Sequence, residues 1–409
     1  MTEPAPRLPA FSALAAVISA AGLPIYIYAP TYYAQTYGVS LTTLGAVLFG
    51  LRLFDVVQDP ALGWISERLD KGRAFVATCA AGVLALSMIC LFAVVPPVAP
   101  IWWFALTITG LFSAFSFLTI NFYAQGVGTA RMLGGGHEQL AAWRESGALS
   151  GVCVAAVVPT LLVGVVAAPF ASFALGFAVV TMLAAATFWP EWRERASVEP
   201  TPMATILADK VARRLLILAL VNATPLAVSS TLFLFFVQYR LDAPGWEGPL
   251  LVLFFLAAAM SAPLWGAMAR QFGPKRVLLS AMVLAVASFA FVLTLGPGDA
   301  AGFAVISVLS GATIGADLTL MPAMFARRMA AISPNGGAGF GLWGLVNKFT
   351  LAFAAVILLP LLERAGFQVG ATTSPESALR MLTLLYALVP VVLKLVAIVL
   401  LALTELEED

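Results

Sequence analysis

Eight ionisable side chains stand inside long apolar stretches: Arg52, Asp55, Asp59, Arg144, Glu145, Asp317, Lys348 and Lys394. A charge at the bilayer centre costs roughly 2.5–3.5 kcal/mol on insertion scales, so each needs a partner or a task. Four are acids and four are bases, so structural ion pairs inside a helix bundle are one reading of any single member. The densest group runs Arg52-Leu53-Phe54-Asp55-Val56-Val57-Gln58-Asp59-Pro60. On a helix Asp55 and Asp59 are i and i+4 and lie on one face, which Arg52 shares from i−3 to Asp55. Two carboxylates so close repel each other in a low dielectric, and a bound cation or proton relieves the repulsion. Hard oxygen donors at this spacing suit Na⁺, Li⁺ or H⁺, so Asp55 and Asp59 are the candidate cation ligands, and metal ligands if the ion is Na⁺.

The helices that carry these charges are themselves readable. Hydrophobic residues are 61% of the 409 and charged residues 11%, against roughly 45–50% and about 25% in soluble domains. Twelve apolar stretches long enough to cross a bilayer are predicted at 10–37, 41–66, 74–95, 101–130, 138–164, 167–188, 207–240, 247–269, 276–296, 301–328, 338–363 and 378–403. They are too long and too uniformly apolar for barrel strands. The polar stretch 189–206 reads as a cytoplasmic linker between an N-terminal six-helix half, 1–188, and a C-terminal half, 207–409. With both termini inside, fifteen of the 22 Lys and Arg fall in inside loops or at the inner ends of spans, three in outside loops or at outer ends, and four deep within spans, which satisfies the positive-inside rule.

The halves echo one another. Pro60-Ala61-Leu62-Gly63 matches Pro263-Leu264-Trp265-Gly266, Leu118-Thr119 matches Leu318-Thr319, and Arg144 matches Lys348, at offsets of 203, 200 and 204 residues. Parallel six-span repeats around a central pathway are the major facilitator arrangement. The repeat of the acidic stretch, Leu256-Ala257-Ala258-Ala259-Met260, has no acid, so a cation site would belong to the first half alone. Arg144 and Lys348 are expected to face one cavity, pairing with Asp55, Asp59 or Asp317 or holding a polar or anionic substrate group.

The remaining features carry less. Tyr26, Tyr28, Tyr32 and Tyr33 of span one read equally as cavity-lining hydroxyls or as an interfacial aromatic belt. Asn347 or Gly344 lies nearer the Lys348 face of span eleven than Trp343 does, and Lys394 reads as a snorkelling or paired base. Gly147-x-x-x-Gly151 and Gly311-x-x-x-Gly315 are close-packing signals. The one histidine, His137, reads as solvated, and with so few histidines a His-based metal cluster or a Ser-His-Asp enzyme is not expected. Cys79, Cys90 and Cys153 lie in apolar runs without metal or disulfide spacing. A net charge of +1 gives no reason to expect nucleic acid. The first ten residues hold one Arg, three Pro and no apolar core, so no removable signal peptide is predicted.

Several segments resemble the glycoside–pentoside–hexuronide:cation symporters, the melibiose permease-like family that also includes lysolipid transporters. Arg52 to Gly63 fits that family's R-x-x-D-x-x-x-D-P-x-x-G pattern. Leu23-Pro24-Ile25-Tyr26, Trp143-Arg144-Glu145-Ser146-Gly147, Gly315-Ala316-Asp317-Leu318 and Phe340-Gly341-Leu342-Trp343 through Lys348 are similar to other family segments, in family order. The resemblance implies a twelve-helix, all-α membrane protein in the bacterial inner membrane with both termini cytoplasmic. It would be a monomer and not an enzyme, and would move an organic solute by Na⁺- or H⁺-coupled symport without a cofactor. Asp55 and Asp59 would bind the cation. Tyr26, Asn121, Arg144, Asn347 and Lys348 would line the solute site, with Arg52, Glu145 and Asp317 in supporting ion pairs. Asn121 falls where the family's sugar permeases carry an acid, span one has no acid, and Arg327-Arg328 replaces an acidic turn. These departures favour a neutral or anionic solute, a glycoside, uronide or amphipathic acid, over a cation. A lysolipid transporter, or a membrane assembly factor that leaves the ion pair unused, remains as an alternative on the same fold.

Overall fold

The computed structural model describes residues 5–22, 28–69, 72–133, 136–192, 201–367 and 375–405, and among these every element is helical. Two compact units are formed, one from Met1–Leu207 with Pro322–Leu345, the other from Ala208–Met321 with Val346–Asp409. Residues 322–345, which the sequence repeat places in the second half, therefore group with the first.

The first unit contains α1 (Leu8–Ala20), α2 (Ala29–Tyr37), α3 (Leu41–Arg68), α4 (Arg73–Phe92), α5 (Pro100–Ala130), α6 (Gly136–Leu162) and α7 (Pro169–Phe188). The helix starts are local chemistry. Prolines in the first turns of α1, α5 and α7 supply a pre-set φ where no N–H is needed. The Ser40 hydroxyl accepts from the Thr43 N–H at 3.1 Å to cap α3. Gly38, at φ 67°, ends α2 in a left-handed conformation that a Cβ would oppose. Helices α1 and α6 meet backbone to backbone. A Cβ at Gly147 would collide with the Ser12 carbonyl and one at Gly151 with the Ala16 carbonyl, and Ser12 Oγ donates to the Trp143 carbonyl at 2.7 Å. The small-residue spacing in span five is thus a packing device. Behind it Phe11, Phe122 and Phe188 pack with centroids 4.7–5.6 Å apart. The start of the linker folds onto this unit: buried Glu191 accepts from Arg7 Nε at 2.9 Å, and its carbonyl accepts from Gln125 at 2.9 Å.

The short α8 (Met203–Ala208) precedes the second unit, which holds α9 (Lys210–Phe235), α10 (Glu247–Phe272), α11 (Pro274–Ala290), α14 (Glu376–Thr383) and α15 (Val389–Leu403). Helices α12 (Ala300–Ile332) and α13 (Gly337–Arg364) each contribute residues to both units. Asp209 caps α9 through the Ala212 N–H at 2.7 Å. Gly311 and Gly315 let α12 approach α10 at Phe254 and Ala258. Phe236 stacks on Tyr386 at 4.2 Å in the core.

The expectation of twelve spans is met in part. Eight helical stretches among the described residues are long and apolar enough to cross a membrane. Helices α3, α6 and α13, at 28, 27 and 28 residues, exceed the roughly 20 that a bilayer needs, and they carry Asp55, Asp59, Arg144, Glu145 and Lys348. In span one the described helices are α1 and α2, and 23–27 lie outside the described residues.

Candidate functional site

The two carboxylates of α3 are deeply enclosed. Asp55 is 0% and Asp59 1% exposed. The partner surface comes from α13. A Cβ on Gly344 would lie 2.7 Å from Asp59 Oδ2, and one on Gly341 would lie 2.9 Å from the Asp59 carbonyl oxygen. Gly63, one turn further along α3, packs on the Gly337 carbonyl in the same way. Only hydrogen at these positions lets α13 seat against the acidic face of α3. Pro60 adds a consequence: it has no N–H to give the Val56 carbonyl, so a backbone oxygen between the two acids lacks its helical donor. The glycine contacts and the Val56 carbonyl were not foreseen as parts of the site, because a glycine does not announce what it touches.

Arg144 is 5% exposed and its Nε donates to Glu145 Oε1 at 2.9 Å. Its Cζ lies 3.7 Å from the centroid of the Tyr123 ring, and the Tyr123 hydroxyl donates to the same Glu145 oxygen at 2.9 Å. Glu145 thus supports Arg144, as the sequence suggests. Among the described residues of this unit the acid that Arg144 pairs with is its sequence neighbour Glu145, and not Asp55 or Asp59. Arg144 Nη2 is buried and has no hydrogen-bond partner among the described residues. Tyr123, missed in the sequence reading, orients the guanidinium by its ring face.

The second unit holds a separate polar cluster. Lys394 bonds Asp317 Oδ2 and donates to Asn222 Oδ1 at 2.7 Å, and both charged residues are 6% exposed. Lys394 is therefore a paired base rather than a snorkelling one. Asn347 and Lys348 lie in the part of α13 that belongs to this unit, and both are half-buried.

Other expected residues have other placements. Asn121 is fully buried, accepts from Ser66 Oγ at 2.8 Å and donates to the Phe117 carbonyl at 2.9 Å, so it fastens α5 to α3. Tyr28 donates to the Ala156 carbonyl at 2.5 Å, and Tyr33 to the Leu91 carbonyl at 3.2 Å. With Tyr32 they pack among Phe92, Phe104 and Phe170. Tyr26 and the Arg52 side chain lie outside the described residues. His137, at the start of α6 ahead of the span, is half-buried rather than solvated. Burial first, then the nearby cations Arg327, Arg131 and Arg144, push its pKa down to about 4. Glu67, unremarked in the sequence, is 2% exposed; it accepts from the Ala338 N–H at 2.9 Å and from Ser333 Oγ at 3.3 Å, holding the α12–α13 turn and the α13 N-terminus onto α3.

The helical fold has solved counterparts. It is similar to the crystal structure of a bacterial homologue of the iron transporter ferroportin in an outward-facing state, with a TM-score of 0.70 at 14% identity over 97% of this chain and 99% of that one. It is also similar to the human organic anion transporter MFSD10 (TETRAN), with a TM-score of 0.65 at 17% identity over 96% and 98%. At such identities the likeness is one of fold, and that fold is the all-helical major facilitator transporter. Residues 9–408 match the MFS/sugar transport protein family, and the chain belongs to it. It is thus a multi-pass membrane transporter of a small solute, not an enzyme. Among curated proteins, none matches the sequence.

Proposed function

We propose that the chain is a cation-coupled symporter that carries a neutral or anionic organic solute, a glycoside, uronide or related small molecule, by alternating access. The observation that carries the reading is the pair Asp55 and Asp59, one helical turn apart and 0% and 1% exposed. Na⁺ or H⁺ entering this pair relieves carboxylate repulsion that burial makes costly. Linkage then requires that the cation and the solute favour each other's binding by the same factor. Arg144, with a buried Nη2 that lacks an acceptor among the described residues, supplies a donor for a solute oxygen. The proposed orientation is both termini cytoplasmic, from the distribution of Lys and Arg, and the proposed membrane is the bacterial inner membrane that the family resemblance implies.

A thermal-unfolding screen tests this. Purified protein is heated with glycosides, uronides and amphipathic acids, each in Na⁺, Li⁺ or choline salt and at two pH values. The reading expects stabilisation by one solute class that grows with one cation. Stabilisation by organic cations alone, with no response to sugars or acids, would refute it.

A further inference from the structure

Three bases meet where α5 ends, α6 begins and α12 ends. The register of α5 against α6 places the first two. Arg144 lies over the Tyr123 ring at 3.7 Å. One turn nearer the connecting loop, a Cβ on Gly126 would lie 3.2 Å from the Leu140 side chain. One further turn of this antiparallel register sets His137 opposite Ala130 and Arg131, the last residue and the C-cap of α5. Helix α12 supplies the third base. The Arg131 guanidinium donates to the Ala330 carbonyl, and Arg327 stands one turn before Ala330 on the same face. That part of α12 belongs to the first unit together with α5 and α6. Arg131 and Arg327 are exposed and His137 is half-buried, so a ligand reaches the group from outside the bundle. We propose that Arg131, His137 and Arg327 form a binding site for a phosphate-bearing anion, separate from the Asp55–Asp59 pair.

The charge around the group is one-sided. Burial first, then Arg327, Arg131 and Arg144, keep the His137 ring neutral, with a pKa of about 4. These three neighbours are all cations. Arg144 already has its acid, Glu145 at 2.9 Å, and acts on the His137 face of α6 from two turns deeper. Glu138, the acid in the first turn of α6, turns back on its own helix start, where a Cβ on Gly136 would lie 3.3 Å from its Oε2. An anion entering among the bases relieves their mutual repulsion.

The donors define the anion. A guanidinium presents paired N–H groups that match the oxygens of a phosphate. Two guanidinium groups, from α5 and α12, and an imidazolium from α6 together serve three oxygens of one tetrahedral group, where a carboxylate has only two. A lipid headgroup and dissolved phosphate share this chemistry.

His137 is the one histidine of the chain, so its ring signal reports this place alone. The full chain, carrying isotope-labelled histidine and freed of any histidine tag, is titrated by NMR in maltoside micelles, which hold no phosphate. The titration is repeated with inorganic phosphate and, separately, with short-chain phosphatidylglycerol mixed into the micelles, at ionic strength matched with chloride. The His137 pKa should rise by roughly one pH unit or more with at least one of them, because a close opposite charge favours the protonated ring. A rise with phosphatidylglycerol alone identifies a lipid headgroup, and a rise with phosphate alone identifies a dissolved anion. Arg327→Gln should change two readings. The pKa without anion should go up, because a cation has gone, and the anion concentration at half-response should increase roughly fivefold. Arg131→Gln should act in the same way, and Arg131→Lys, which keeps the charge, should retain most of the response. Arg270→Gln removes a base from the second unit and should leave every reading at wild type. Unfolding midpoints are measured alongside to confirm that each variant folds. No rise with either anion, a wild-type response in folded Arg327→Gln, or an equal loss in Arg270→Gln would overturn the proposal.

Discussion

Replacing Gly344 with Ala perturbs the proposed cation site without touching its charges. The added Cβ would stand 2.7 Å from Asp59 Oδ2 and 3.5 Å from its Cγ. The carboxylate must swing to make room, and a side chain held about 30° off its rotamer costs about 0.5–1.5 kcal/mol. If that geometry binds the cation, the same energy is lost from cation affinity, which is roughly 2- to 10-fold. Overall stability should change little, because Ala gains about 1 kcal/mol over Gly in a helix interior and offsets the contact. Gly341→Ala is the control. Its Cβ would meet the Asp59 carbonyl oxygen at 2.9 Å and Gly63 Cα at 3.2 Å. Backbone cannot swing aside, so about 1–3 kcal/mol of stability should go instead. Unfolding midpoints measured across Na⁺, Li⁺ and proton concentrations separate the two effects. Wild-type cation dependence in Gly344→Ala, or a loss of stability as large as that of Gly341→Ala, would show the reasoning to be wrong.

Three further outcomes are expected. Glu67→Gln keeps the shape but removes the charge at the α13 N-terminus, and should lower stability by about 1 kcal/mol in a denaturation assay; an unchanged midpoint would mean the contact contributes nothing. Tyr123→Phe keeps the ring beneath Arg144 and loses the bond to Glu145, costing about 1 kcal/mol, whereas Tyr123→Leu should cost more because the cation–π contact also goes; equal effects would deny the ring its role. For His137 the folded pKa of about 4 lies below the ordinary 6.5, so the folded state binds fewer protons than the unfolded one between these values. Its contribution is fully present above about pH 6.5 and is lost as the pH falls toward 4. His137→Gln should flatten that part of the stability–pH curve, and an unaltered curve would contradict the assignment.

Helical class, the burial of Asp55 and Asp59, and a close helix contact at Gly147 and Gly151 were all legible in the sequence, though not that α1 supplies the other side of that contact. Each rests on pattern within one segment: apolar length, carboxylates at i and i+4, glycines at i and i+4. What the sequence hid are partners. Lys394 finds Asn222 and Asp317 across 172 and 77 positions, and spacing along the chain says nothing about such meetings. Arg144 pairs with Glu145, the acid beside it in sequence, while the Tyr123 ring that holds its guanidinium comes from another helix. Gly344 reads as ordinary helix until the Asp59 carboxylate is seen beside it. Asn121 reads as a cavity amide because its own helix cannot show that Ser66 occupies its oxygen. The tyrosines of span one could not be divided between cavity and belt by period alone; Tyr28 and Tyr33 each donate to a main-chain carbonyl, within an aromatic cluster.

The claim that Asp55 and Asp59 form the coupling site is tested most directly by uptake into vesicles containing the purified chain. Radiolabelled solutes from the glycoside and uronide panel are offered under an imposed inward Na⁺ or proton gradient. The wild type should concentrate one of them above its external level, and the Asp55→Asn, Asp59→Asn double variant should not, while still exchanging that solute down its own gradient. Full gradient-driven accumulation by the double variant would contradict the account.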